Sequence, residues 1–175
     1  MPRRRVKPTP APSAQQADTD HGHPDLAAAT MARAERMCAE RGLSFTVSRR
    51  RVLELLTVNP ATPLGAYDLV ELLKGEEGRR VAPVQVYRTL DFLQGLGLVH
   101  RITTRNAYLA CDHEHAPDET LVFLVCQSCG TVAEASAPSA IERGLKGAAA
   151  ASGFKSRHPV VEVEGECAAC QAPAA

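Results

Sequence analysis

Cys126-Gln127-Ser128-Cys129-Gly130 and, far along the chain, Cys167-Ala168-Ala169-Cys170 are the stretches whose reading decides the fold. Two thiols two residues apart can grip one metal ion from a tight turn, and a second such pair closes a tetrahedral four-cysteine shell. Four sulfurs leave no position open for water or substrate, so the site reads as a structural staple rather than a catalytic centre. Gly130, directly after the first pair, suits a turn that needs positive φ, and the second pair has no such glycine. A redox dithiol or unrelated free cysteines are the alternatives, but two matched pairs in a short chain favour the metal. Residues 130 to 166 separate the pairs, more than the roughly 15 to 20 of a compact zinc ribbon. A strand, a helix and another strand are expected between them.

At 175 residues the chain has room for one ordinary domain or two small ones. A small domain buries little surface, and a structural metal is a usual remedy. No apolar run approaches the roughly 18 residues of a membrane span, and no signal peptide follows the basic start. The expected location is cytoplasmic, without membrane contact, where thiols stay reduced and CxxC pairs read as metal sites. The zero net charge hides a division. Residues 1 to 110 carry 16 Lys or Arg against 11 Asp or Glu, whereas residues 111 to 175 carry 4 against 9. The basic part is a candidate for nucleic acid and the acidic part for metal.

Residues 1 to 24, with five prolines and Arg3-Arg4-Arg5, read as a disordered arm, in which His21 and His23 are weak metal candidates. A first helix is expected from a cap at Asp25 to Arg41, stopped by Gly42, with Cys38 as a small core residue. A second starts near Thr46 and runs to Asn59-Pro60, burying Val52, Leu55 and Leu56 and leaving Arg49, Arg50 and Arg51 toward solvent or phosphate. The third, Ala66 to Lys74, buries Ala66, Leu69, Val70 and Leu73 at i, i+3, i+4 and i+7. Tyr67 is then an exposed aromatic in a chain that has only three tyrosines, four phenylalanines and no tryptophan, so a contact is expected there.

The fourth helix opens at Pro83 and ends before Gly97. Its buried stripe is Val86, Leu90 and Leu93, which turns Gln85, Arg88 and Thr89 outward near the N-terminus. Arg can pair with guanine and Gln with adenine, and a recognition helix reads bases mostly through its N-terminal residues. Strands at 98–103 and 107–111, joined by a turn with basic residues, form the wing of a winged helix-turn-helix. The expected class is α+β: a disordered arm over 1–24, a winged-helix DNA-binding domain over 25–111, a hinge over 112–119 and a small α/β dimerisation domain over 120–171. In the last, strands are expected at Leu121–Val125, Thr131–Glu134 and Lys155–Val163, with a helix from Pro138 to about Ser152. A homodimer would present two recognition helices to palindromic double-stranded operator DNA.

The residues in this order resemble the ferric uptake regulator (Fur) family, and within it the zinc uptake regulator branch. The matching stretches are Phe45-Thr46-Val47-Ser48-Arg49, Ala66-Tyr67-Asp68-Leu69, Val86-Tyr87-Arg88-Thr89-Leu90-Asp91-Phe92-Leu93, Gly97-Leu98-Val99-His100 and both CxxC pairs, spread over about residues 28 to 171. The resemblance implies a dimeric, metal-dependent repressor, with Tyr67, Gln85, Tyr87, Arg88 and Thr89 as the candidate DNA contacts. Iron-sensing members carry a dense histidine cluster before the first CxxC, where this chain reads Asp118-Glu119-Thr120-Leu121-Val122-Phe123. Zinc-sensing members resemble it in placing a cysteine at the end of the wing, here Cys111, and thiolate with imidazole favours zinc over iron(II).

The resemblance further implies a zinc sensor site at His100, Cys111 and Glu134 plus one hinge ligand, beside the structural zinc at Cys126, Cys129, Cys167 and Cys170. The fourth sensor ligand is His113, His115 or Glu119; the family's alignment favours Glu119, and the commonness of imidazole as a zinc ligand favours a histidine. His158 occupies the place of a third, weaker site in some relatives. The alternatives are an iron or peroxide sensor of the same family and a zinc hydrolase. For the hydrolase, His113-Glu114 fits the deaminase signature poorly, since Leu124-Val125 rather than Pro precedes Cys126. The expectation is that the protein is not an enzyme.

Overall fold

The computed structural model describes residues 24–77, 81–116 and 119–171. The arm with Arg3-Arg4-Arg5, His21 and His23 lies outside them, as does Asp118.

Helix α1 spans Pro24–Glu40, and Gly42, with φ 62°, follows it in the left-handed conformation that glycine adopts without Cβ strain. Helix α2 spans Val47–Thr57 and is capped by Thr46, whose Oγ1 accepts from the Arg49 N–H at 3.4 Å. Its fully buried residues are Val52, Leu53, Leu56 and Thr57, and Leu55 is partly buried against the same core. Leu55 also lines a shallow apolar cleft with Val58, Leu64 and Leu72. The α2 arginines are engaged within the protein: Arg49 stacks 3.4 Å over the Phe92 ring, Arg50 pairs with Glu35, and Arg51 meets Glu54 at 2.8 Å. Arg50 and Arg51 still keep 40 % and 38 % of their side chains exposed, so they face solvent as expected while pairing within the protein.

Strand β1 is only Leu64–Gly65, too short to show a pattern of its own. Helix α3 follows at Ala66–Glu77, with Ala66, Leu69, Val70 and Leu73 all buried as their spacing requires. Helix α4 spans Pro83–Gly95, and Pro83 fits its first turn, where no N–H is needed. Strands β2 (Val99–Ile102) and β3 (Ala107–Ala110) form the wing, joined by a 3-10 turn over Thr103–Arg105 and a left-handed Asn106. The first sheet has the order β1-β3-β2, all antiparallel.

Strand β4 (Leu121–Cys126) turns at the first CxxC into β5 (Val132–Ser136). Helix α5 (Ser139–Ala151) crosses over to β6 (Val160–Gly165), which pairs parallel to β4, and the short helix α6 covers Ala168–Gln171. The second sheet has the order β5-β4-β6. Strand β6 starts five residues later than Lys155, because the chain over 155–159 only approaches the sheet, with the Pro159 carbonyl accepting from the Leu121 N–H at 3.0 Å.

Two cores result. The larger is built from α1 to α4 and the inner face of the wing. The smaller joins Ile102 and Leu109 of the wing to Leu121, Phe123, Val125 and Val132 of the second sheet. Strand β3 is buried on both faces, with Tyr108 and Ala110 in one core and Leu109 in the other. The wing is therefore a wall shared by both halves. By contrast α5 buries no residue, and Leu124, Val163, Ile141 and Leu145 leave an apolar surface on the far side of the second sheet and on α5.

Candidate metal centres and DNA-reading face

The β4–β5 turn presents Cys126 and Cys129, and the start of α6 presents Cys167 and Cys170, so that the four sulfurs lie within 4.8 Å of one another. Cys129 Sγ and Cys167 Sγ are 3.7 Å apart, matching the edge of about 3.8 Å of a tetrahedron with Zn–S bonds near 2.3 Å. Gly130 has φ 81°, the positive value its place after the first pair predicts. The second pair needs no glycine because Cys167 runs directly into a right-handed helical turn, with the Cys170 N–H donating to the Cys167 carbonyl at 3.0 Å. Backbone N–H groups of Cys129 and Cys167 pull the Cys126 thiol down to about 6, whereas its thiol neighbours push Cys170 up to about 12. Four thiolates at one point need a cation, and the donors fit zinc.

The second cluster lies where the base of the wing meets the hinge and β5. His100, Cys111 and His115 offer ligand atoms within 4.8 Å of one another, and so do His113, His115 and Glu134. His115 belongs to both groups. Its Nε2 lies 3.2 Å from His100 Nε2 and 3.2 Å from Glu134 Oε1, close to the edge of about 3.3 Å expected around zinc with bonds near 2.0 to 2.1 Å. Its Nδ1 is buried without a hydrogen bond, 3.5 Å from Glu119 Oε2.

Burial dominates the electrostatics here. It lowers His100 to about 4, assisted by the neighbouring His115 and His113, so the imidazole stays neutral with a free lone pair at neutral pH. Burial likewise pushes the Cys111 thiol and the Glu134 carboxyl up. A desolvated thiol and carboxyl gathered around the His115 imidazole are a set that a soft-tolerant divalent cation relieves, and zinc fits it.

Of the hinge residues proposed as fourth ligand, His115 points into this centre. His113 belongs to the second donor group only and is half-exposed, with Nδ1 held by Asp112 and Nε2 3.5 Å from Glu134. Glu119 belongs to neither donor group; its carboxylate accepts from the Ala116 N–H at 3.0 Å and backs His115 from behind. His158 lies in neither group. Sequence reasoning missed the anchors of the hinge: the buried Arg33 of α1 donates to the Cys111 carbonyl, and Arg36 meets Glu114 at 2.8 Å. Each spans 78 positions of sequence, and no local pattern marks such a pair.

On the N-terminal half, Tyr67 is 68 % exposed and Gln85, Tyr87 and Arg88 are also open to solvent. Thr89 is not. It is 8 % exposed, on the inner side of α4 with Val86, Leu90 and Leu93, because i+3 from Val86 falls on the buried stripe as surely as i+4 does. Thr89 is thus withdrawn from the outward-facing set.

The sequence model described as the Ferric uptake regulator family matches residues 40–164, most of the chain. This chain belongs to the ferric uptake regulator family. Among Fur-family relatives, the Zinc uptake regulation protein of Escherichia coli (strain K12) is 39 % identical over 140 residues, which are 80 % of each chain. The Peroxide operon regulator of Bacillus subtilis (strain 168) is 29 % identical over 136 residues, 75 % of this chain and 86 % of the relative. Among solved structures, a zinc uptake regulator complexed with zinc and DNA superposes with a TM-score of 0.75 at 38 % identity, over 82 % of this chain and 94 % of that one. The winged-helix and α/β arrangement expected from the sequence is the one this fold shares. No helix among the described residues is long and apolar enough to cross a membrane.

Proposed function

We propose that this Fur-family chain is a zinc-responsive transcriptional regulator, a repressor that binds palindromic operator DNA as a homodimer in the cytoplasm. The observation that carries it is that His115 of the hinge stands in two donor groups at once, with His100 and Cys111 of the wing and with Glu134 of the second sheet. Donors from the wing and from the second sheet both adjoin His115, so a cation held there links the angle between the halves to zinc. A thiol in that set favours the zinc branch over an iron or peroxide sensor, and a DNA-binding family favours a regulator over a hydrolase.

In this reading residues 25–111 form the DNA-binding domain, 112–119 the hinge and 120–171 the dimerisation domain. Each chain holds two zinc ions. Cys126, Cys129, Cys167 and Cys170 hold the structural one; His100, Cys111, His115 and Glu134 hold the regulatory one. Glu119 orients His115 through Nδ1, as an outer carboxylate commonly does for a metal-bound histidine. Tyr67, Gln85, Tyr87 and Arg88 contact DNA. The apolar row of Leu124 and Val163, with Ile141 and Leu145 of α5, supports dimerisation, since a helix that buries nothing in its own chain calls for a partner surface.

Linkage supplies the test. If zinc tightens DNA binding, DNA must tighten zinc binding by the same factor. Zinc affinity of the regulatory site is measured by competition with a chelator, with and without a duplex from the region upstream of the protein's own gene. A higher affinity with DNA supports the reading; equal affinities, with DNA bound, overturn it.

A further inference from the structure

Glu162, on β6, reaches out of the second sheet to the far end of the wing. Its Oε1 accepts from the Thr103 N–H at 2.7 Å, and its Oε2 accepts from the Thr104 N–H at 2.8 Å and the Thr104 hydroxyl at 2.6 Å. Next to it Arg105 donates to the carbonyl of Cys126, a residue of the four-cysteine cluster. The wing tip is thus turned onto the second sheet.

Sheet register explains the arrangement. Phe123 on β4 stands opposite Glu134 on β5 and opposite Glu162 on β6, so the three side chains share one face and one cross-strand row. Glu134 meets the base of the wing through His115, Phe123 packs 5.3 Å from the His100 ring, and Glu162 takes the tip. Apolar packing through Ile102 and Leu109 and the zinc-side contacts at the base are non-directional or confined to one end of the wing. Glu162 adds a directional hold at the other end.

We propose that Glu162 is a positioning residue of the regulator: a metal-independent clasp on Thr103 and Thr104 that sets the domain angle which the zinc site then locks. The inference rests on the zinc-responsive reading above. In zinc-free protein the clasp holds part of the population at the DNA-competent angle, and so lowers the free zinc needed for DNA binding. Paired backbone N–H groups and a hydroxyl around one carboxylate are charge-assisted hydrogen bonds, stronger than their neutral equivalents.

The test uses the full-length dimer and the variants Glu162→Gln, Thr104→Val and the two together. The first reading is amide exchange at Thr103 and Thr104 in zinc-free and zinc-loaded protein, which needs no DNA. Protection in the native chain that is lost in Glu162→Gln supports the clasp; fast exchange in the native chain overturns it. The second is the free-zinc midpoint for binding the upstream duplex. Glu162→Gln should raise it about tenfold, and Thr104→Val less, with the double variant no worse than Glu162→Gln alone. Unchanged midpoints, or effects that simply add, overturn the coupling even if folding and the zinc content of the four-cysteine site are altered. A native chain that binds DNA without regard to zinc overturns the functional reading instead, and the exchange result then judges the clasp alone.

Discussion

Glu134 and Glu162 flank Phe123 in a single cross-strand row of the second sheet, and each faces a different end of the wing. Phe123 between them is fully buried and forms the centre of the small core shared with Ile102 and Leu109. Phe123→Ala removes the ring on which both halves rest. It should cost about 3 to 5 kcal/mol in a denaturant titration of the zinc-loaded protein, the range for truncating a buried aromatic. A cost below about 1 kcal/mol would mean the small core is not what joins the halves.

The four-cysteine cluster holds the β4–β5 turn against α6, and the second sheet has few other large buried side chains. Cys129→Ser should release one zinc per chain, measured by metal analysis after gel filtration, and convert the dimer to monomer or unfolded chain. Retention of both zinc ions would show that the staple is not there.

His115 sits at the crossing of the two donor groups and Glu119 stands behind it. His115→Ala should therefore lower zinc affinity of the regulatory site by at least about 100-fold, whereas Glu119→Gln should cost about tenfold, as for an outer carboxylate. Chelator competition reads both values. A larger loss for Glu119→Gln would make the carboxylate the ligand and the histidine its support.

Arg88 is exposed near the N-terminus of α4, and Thr89 beside it is buried. Arg88→Ala should weaken operator binding by about 1 to 3 kcal/mol, with zinc content and dimerisation unchanged. Thr89→Val, which keeps the shape of a buried side chain, should leave the DNA contact itself alone. Mobility-shift titrations that reverse this order would move the reading face of the helix by one position.

The helices of the first half were legible because their apolar spacing and punctuation agree: Ala66, Leu69, Val70 and Leu73 on one side of α3, Pro83 and Gly97 around α4, Gly42 after α1. The two CxxC pairs stood out because paired thiols at fixed spacing have few other uses, whereas His100, Cys111 and Glu134 were named from the family resemblance and no local spacing marks them. Choosing among His113, His115 and Glu119 was beyond the sequence, since the hinge has no periodicity and orientation there follows from contacts with Glu134 and His100. Thr89 was misplaced because one position of a helical stripe amounts to about 100° of rotation, and the packing of neighbouring helices decides its edge. Glu162 carried no signal at all; it sits 58 and 59 residues from its partners, and only the β4–β6 register brings it to them.

The most direct measurement is binding of the chelator-treated protein to a duplex from the region upstream of its own gene under buffered free zinc, with iron(II) and manganese(II) in parallel. The account predicts tight binding that appears with zinc, saturates at one added ion per chain and disappears in Cys111→Ser. Binding driven by iron(II) or manganese(II) in place of zinc, or zinc-driven binding that survives Cys111→Ser unchanged, would contradict it.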